Sequence, residues 1–130
     1  MVRLLLDTHV FVWMHAAPER LSRRARDVLV DAESELLLSC VVPWELGIKA
    51  GQGKLRLPEP VDVYCASRAR AARMKLVDIR FAHVFEAVRL PDHHRDPFDR
   101  MLVAQARVER VPILSGDRTL RAYDVEVVPA

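Results

Sequence analysis

Five short apolar runs alternate with helix-like segments along the chain, and that alternation constrains the fold more than any other feature. The runs cover residues 2–6, 36–40, 76–79, 111–114 and 125–128. Continuous apolar runs of this length read as strands buried on both faces. Helical patterns fill the intervals at 8–15, 22–32, 43–51, 61–73, 81–88 and 97–109. Ser22 is a candidate cap for the second, and Pro43 falls in the first turn of the third, where proline is tolerated. Strands alternating with helices predict a parallel α/β sheet flanked by helices. In such sheets ligands bind beyond the carboxyl ends of the strands.

Size and composition remove several function classes. A chain of 130 residues suits one domain, 1–130, and 51% hydrophobic with 29% charged residues supports a packed core rather than disorder. No apolar run reaches the ~20 residues of a membrane helix. The opening apolar stretch contains Arg3 and ends at Asp7, too short for the core of a signal peptide, so the expectation is a cytoplasmic protein with no membrane contact. Only four glycines are present, at 47, 51, 53 and 116, which excludes glycine-rich phosphate loops. Net charge is +2 from 20 basic and 18 acidic residues, weak support for an anionic partner. All the basic residues except Lys49, Lys54 and Lys75 are arginine. Arginine suits phosphate recognition, although genome base composition explains the bias equally well. Cys40 and Cys65 lack zinc-ligand spacing and are expected to be small core residues.

The acids carry more information. Asp7 follows the first apolar run, Glu45 opens the helix after the second, and Asp117 follows the fourth after a Ser-Gly turn. Asp96 and Asp99 open the helix before that strand. In a parallel sheet, Asp7, Glu45 and Asp117 share the carboxyl edge, with Asp99 able to join them. Each acid alone reads as a helix cap, worth ~0.3–1 kcal/mol. Together they pose a different problem, because two carboxylates ~5 Å apart repel by about 3 kcal/mol at an effective dielectric near 20. Capping does not require convergence, so a cation should offset the repulsion. Oxygen donors without cysteine point to Mg2+ or Mn2+, and one or two ions fit four carboxylates. Such a site activates water for attack on a phosphodiester without a covalent enzyme intermediate.

The residues also match a family. Leu4-Leu5-Leu6-Asp7-Thr8-His9, then Trp44-Glu45-Leu46-Gly47-Ile48-Lys49 with Gly53-Lys54-Leu55-Arg56-Leu57-Pro58, resemble the first two acid motifs of the PIN domain, and within it of VapC-type toxin ribonucleases. The run from His94 through Asp96-Pro97-Phe98-Asp99-Arg100 to Ala106 is similar to the third, and Ser115-Gly116-Asp117 with Tyr123 and 125–128 resembles the closing one. The resemblance implies a three-layer α/β fold with a mostly parallel sheet of about five strands. It implies Mg2+- or Mn2+-dependent endoribonuclease activity, an RNA substrate, a small cognate antitoxin and a homodimer. Its catalytic and metal-binding acids carry over to Asp7, Glu45, Asp99 and Asp117, with Asp96 as support. Where the family often places a hydroxyl just before the second acid, this chain has Val42 and Pro43, and Ser39 stands six residues away.

Several neighbours admit two roles. Thr8 either caps a helix or bonds a site carboxylate or water. Arg95, Arg100 and Arg118 either hold the substrate backbone or pair with nearby acids, and Ser115 keeps a hydroxyl in the closing turn, where it too is a candidate for substrate contact. His93 and His94 read as a solvated loop, with RNA phosphate or a metal-bound water as the other reading. Trp44 reads as a core or dimer-interface aromatic, with base stacking second. Arg68, Arg70 and Arg73 read as a solvated helix face. Tyr64, Cys65, Ala69, Ala72 and Met74 are candidates for an apolar partner surface. An aspartyl-phosphate phosphatase is disfavoured by His9, where that chemistry wants a second acid. A receiver domain is disfavoured because the last lysine is Lys75. The non-enzymatic alternative is a catalytically weak nucleic-acid- or partner-binding module on the same fold.

Overall fold

A computed structural model describes residues 2–130. The five strands are β1 Arg3–Leu6, β2 Glu35–Ser39, β3 Lys75–Val77, β4 Ile113–Ser115 and β5 Val127–Pro129. They form one sheet in the order β3-β2-β1-β4-β5, and every pairing is parallel. Six α-helices connect them: α1 Thr8–Ala16, α2 Arg23–Val30, α3 Val41–Gly51, α4 Val61–Ala71, α5 Phe81–Arg89 and α6 Pro97–Glu109. The strand order reverses beside β1: β2 and β3 build outward on one side, and β4 and β5 on the other. The gap between β1 and β4 is therefore the switch point where parallel sheets accept ligands.

The strands bury both faces, as their uninterrupted apolar character requires. Leu4 and Leu6 pack with Leu36, Leu114 and Val128 against Val10 of α1 and Ala25 and Leu29 of α2. Leu5, Leu37 and Ile113 point the other way, onto Leu102, Val103 and Ala106 of α6. Leu38 joins Phe11, Val42 and Leu46 beside Tyr64, Cys65 and Ala69 of α4. The sheet is thus the middle of three layers. No helix among the described residues is long and apolar enough to cross a membrane.

Several boundaries differ from the sequence expectation for local reasons. Helix α3 starts two residues before Pro43, because Ser39 Oγ accepts from Val41 N at 3.0 Å and turns the chain there. Asp31 ends α2 early by accepting from Glu33 N at 2.9 Å. Arg73 adopts φ 53°, which closes α4 at Ala71. Strand β3 stops at Val77, and β4 and β5 run one or two residues later than the apolar runs suggested. Cys65 is buried as expected, but Cys40 is exposed, because it stands at the N-terminus of α3 rather than inside β2.

Leu6 is fully buried and immediately precedes Asp7. Leu6→Ala is expected to cost about 2–5 kcal/mol of stability, read as a lower urea midpoint at unchanged slope. A cost below ~1 kcal/mol would show that β1 does not anchor the sheet edge.

Candidate active site at the sheet switch point

The carboxyl ends of β1 and β4 lie side by side, tied by Asp7 N donating to Leu114 O at 3.0 Å. Asp7 caps α1 there, its Oδ1 accepting from Thr8 N at 2.7 Å. Ser115, the last residue of β4, donates its hydroxyl to Asp7 Oδ2 at 2.6 Å. The same Ser115 oxygen accepts from Asp117 N at 3.0 Å, so one hydroxyl positions two acids. Thr8 Oγ1 donates to Glu45 Oε1 at 2.7 Å, and Lys49 Nζ, one turn along α3, donates to Glu45 Oε2 at 2.5 Å. The hydroxyl absent before Glu45 in sequence is therefore delivered by Thr8. On the far side, His94 Nε2 lies 3.0 Å from Asp117 Oδ2 and 3.1 Å from Asp99 Oδ2. Lys49, Glu45, Thr8, Asp7, Ser115, Asp117, His94 and Asp99 form one continuous polar chain.

Asp96 serves the helix. Its Oδ1 accepts from Phe98 N at 2.8 Å and Asp99 N at 3.3 Å, which caps α6 and sets the turn that presents Asp99. Asp117 likewise starts the 3-10 turn Arg118–Ala122, its Oδ1 accepting from Thr119 N and Oγ1 at 2.9 and 2.7 Å. The acids grade from closed to open. Side-chain exposure is 3% for Asp7 and 5% for Glu45, against 17% for Asp99 and 28% for Asp117. Two carboxylates form the floor, and two stand where solvent and substrate can reach.

Electrostatics follow from this arrangement. Burial pushes the Asp99 carboxyl up to about 7, reinforced by the charges of Asp7, Asp96 and Glu45 and only partly offset by His94. Burial also raises Asp7, against the opposing effects of His9, Ser115 and Thr8. Burial pushes Asp117 upward too, but its bonds from Thr119 and His94 outweigh that and hold it below the usual carboxylate range. The hydrogen bond to Glu45 holds Lys49 above its ordinary value, against the effect of burial.

The donor set fits a hard divalent cation. Carboxylate oxygens dominate it, and the raised Asp99 carboxyl is the electrostatic strain a cation would relieve. Asp7, Glu45, Asp99 and Asp117 are the candidate ligands. One nitrogen joins the cluster, since donor atoms of His94, Asp99 and Asp117 lie within 4.8 Å of one another.

Other residues fall differently from the sequence reading. His94 is not a solvated loop residue but a member of the site, whereas His93 is exposed and sets its ring edge-on to Tyr123. Arg100 faces its own scaffold: its guanidinium donates to Pro91 O, Ala87 O and Leu90 O, each at 3.0 Å, joining the end of α5 to α6. Arg95 and Arg118 are exposed beside the acids. Trp44 is 55% exposed rather than core, with Phe98 packed edge-on at 4.9 Å beside Asp99. Ser115 spends its hydroxyl on the two acids. Lys49 and His9 also touch site acids, a role that no local sequence motif singles out. The four-residue spacing of Glu45 and Lys49 was the available signal for the first.

A family model described as PIN domain matches residues 4–126. The chain is 33% identical over 124 residues to Ribonuclease VapC22 of Mycobacterium tuberculosis, spanning 95% of this chain and 93% of that protein. Among solved structures, VapBC2 from Rickettsia felis bound to a promoter DNA fragment superposes with TM-score 0.71 at 13% identity, covering 99% of this chain and 98% of that one. VapBC-5 from Mycobacterium tuberculosis, a member of the VapBC family of toxin–antitoxin systems, superposes with TM-score 0.65 at 19% identity and full coverage of both chains. At those identities the structural likeness concerns the fold.

The raised Asp99 carboxyl has a sign. A carboxyl held near 7 in the folded chain favours folding below about pH 4, and that contribution is lost as pH rises to about 7. The metal-free protein is therefore expected to lose thermal stability between about pH 4 and pH 7. Asp99→Asn should flatten that slope and raise stability at pH 8 by ~1–2 kcal/mol, discounted for partial solvent access. An unchanged slope in the variant would mean that Asp99 is not raised by burial and its acidic neighbours as described.

Proposed function

The chain belongs to the PIN-domain family, and on that premise we propose that it is a metal-dependent endoribonuclease acting as a toxin, neutralised by a small protein antitoxin. The observation that carries this reading is the convergence of Asp7, Glu45, Asp99 and Asp117 on one polar chain at the switch point, with Asp99 pushed up to about 7. The relative named a ribonuclease and the toxin–antitoxin structures of the same fold support it.

In this proposal the four acids hold one or two Mg2+ or Mn2+ ions. Such ions supply Lewis-acid activation of a water and of a phosphodiester oxygen. The chain's own residues do the rest. Thr8 and Lys49 fix both oxygens of Glu45, and Thr8 N with Ser115 fixes both oxygens of Asp7, so the floor of the site costs little reorganisation when it binds. Asp99 and Asp117 line the open side, where their charge must be neutralised before a scissile phosphate can approach. Arg95 and Arg118 take the flanking phosphates, for which exposed guanidinium groups are suited. Arg100 stays in the scaffold. The four acids repel RNA until their charge is neutralised, which makes cation binding a condition of substrate binding.

A homodimer belongs to the same proposal. Phe81, Val84, Phe85 and Val88 form an exposed stripe along one face of α5 and are its candidate contact.

Incubation of purified protein with structured RNA tests the reading. Cleavage is expected with Mg2+ or Mn2+, none with chelator, and a loss of at least about a hundredfold for Asp7→Asn and for Asp99→Asn. Cleavage that survives chelation and both substitutions contradicts the metal mechanism. Binding without cleavage across several RNAs would instead indicate a binding module.

A further inference from the structure

Two histidines stand beside the acids, and each has one ring nitrogen held by the main chain. Gly116 N donates to His9 Nε2 at 2.9 Å. Asp96 N donates to His94 Nδ1 at 3.0 Å. A ring nitrogen that accepts a hydrogen bond carries a lone pair, so the proton of the neutral imidazole sits on the other nitrogen. For His9 that is Nδ1, 3.5 Å from Asp7 Oδ2. For His94 it is Nε2, 3.0 Å from Asp117 Oδ2 and 3.1 Å from Asp99 Oδ2. The two rings thus carry opposite tautomers: the His94 N–H donates to Asp117 beside Asp99, whereas His9 Nδ1 stands near Asp7 Oδ2 without hydrogen-bond geometry.

The sequence builds both anchors from tight turns. Gly116 has no side chain to hold His9 away; a Cβ there would lie 3.3 Å from His9 Nε2. Asp96 caps α6 with its side chain, which leaves its own N–H free for His94. The spacing of His94, Asp99 and Asp117 resembles a metal trio. Ligation through Nε2 needs the lone pair that this tautomer does not have there, so the main chain excludes His94 from the ligand set.

We propose that His94 is a positioning residue, a main-chain-locked donor that aims Asp117, with Asp99 beside it, at the cation without ligating it, while the Gly116 anchor holds His9 beside Asp7 in the opposite tautomer. The inference rests on the metal site proposed above. Outer partners that orient ligands in this way typically contribute ten- to hundredfold in metal affinity.

Long-range 1H–15N correlation spectra of the metal-free protein read the tautomers directly. The expected result is an Nδ1–H ring for His9 and an Nε2–H ring for His94. Mn2+ affinity measured by electron paramagnetic resonance then reads the consequence. His94→Ala should bind Mn2+ about ten- to hundredfold more weakly, at a melting temperature close to wild type. His94→Gln keeps an N–H donor near the Nε2 position and should stay within a few-fold of wild type. Spin-echo spectra of bound Mn2+ should show no imidazole nitrogen coupling. An Nδ1–H tautomer at His94, a strong imidazole coupling, or equal affinity for His94→Ala and wild type would overturn the proposal. If wild-type protein bound no Mn2+ at all, the metal reading itself would fail, while the tautomer spectra would still judge the two rings.

Discussion

The mutual repulsion of carboxylates at the β1–β4 switch point is the constraint around which the rest of the structure is organised. Folding brings Asp7 and Glu45 almost out of solvent and sets Asp99 and Asp117 at their rim. Like charges ~5 Å apart cost about 3 kcal/mol per pair at an effective dielectric near 20 unless something answers them. Here the answer is divided. Hydrogen bonds from Thr8, Ser115, Thr119 and Lys49 satisfy three of the acids, and the residual strain falls on Asp99, raised first by its burial and then by its acidic neighbours. A site already held open against its own charge is poised for a divalent cation.

That arrangement depends on the core in a direct way. Leu4 and Leu6 anchor β1 on one face and Leu5 on the other, so Asp7 cannot move without disturbing both hydrophobic layers. Ser115 and Asp117 are fixed to the same edge through β4, and Arg100 ties α6 to α5 so that Asp99 keeps its place. Precise charge placement in this protein is a product of apolar packing some residues away.

Much of this was legible in the sequence because strand and acid signals are local. Apolar runs ending in Asp7 and in the Ser115-Gly116-Asp117 turn report both the strand and the residue at its end. Ser22 does cap α2, its hydroxyl accepting from Ala25 N at 3.1 Å. What escaped was set by long-range contact. Thr8 meets Glu45 across 37 residues, and His9 meets Gly116 across 107. His94 looked like loop because its neighbours are polar; only the fold reveals that the loop closes over Asp99 and Asp117. Cys40 and Trp44 lie on an apolar stretch yet are exposed, since the β2–α3 turn begins earlier than Pro43 suggested.

Calorimetric titration of Mn2+ into the metal-free protein at pH 6.5, in two buffers of different ionisation enthalpy, tests the central claim most directly. With Asp99 near 7, binding must expel its proton, so the heats should differ between buffers and report release approaching one proton per site, lost in Asp99→Asn. Binding with no proton release, or no binding, would contradict the account that a cation relieves the strain of this buried, mutually repelling carboxylate cluster.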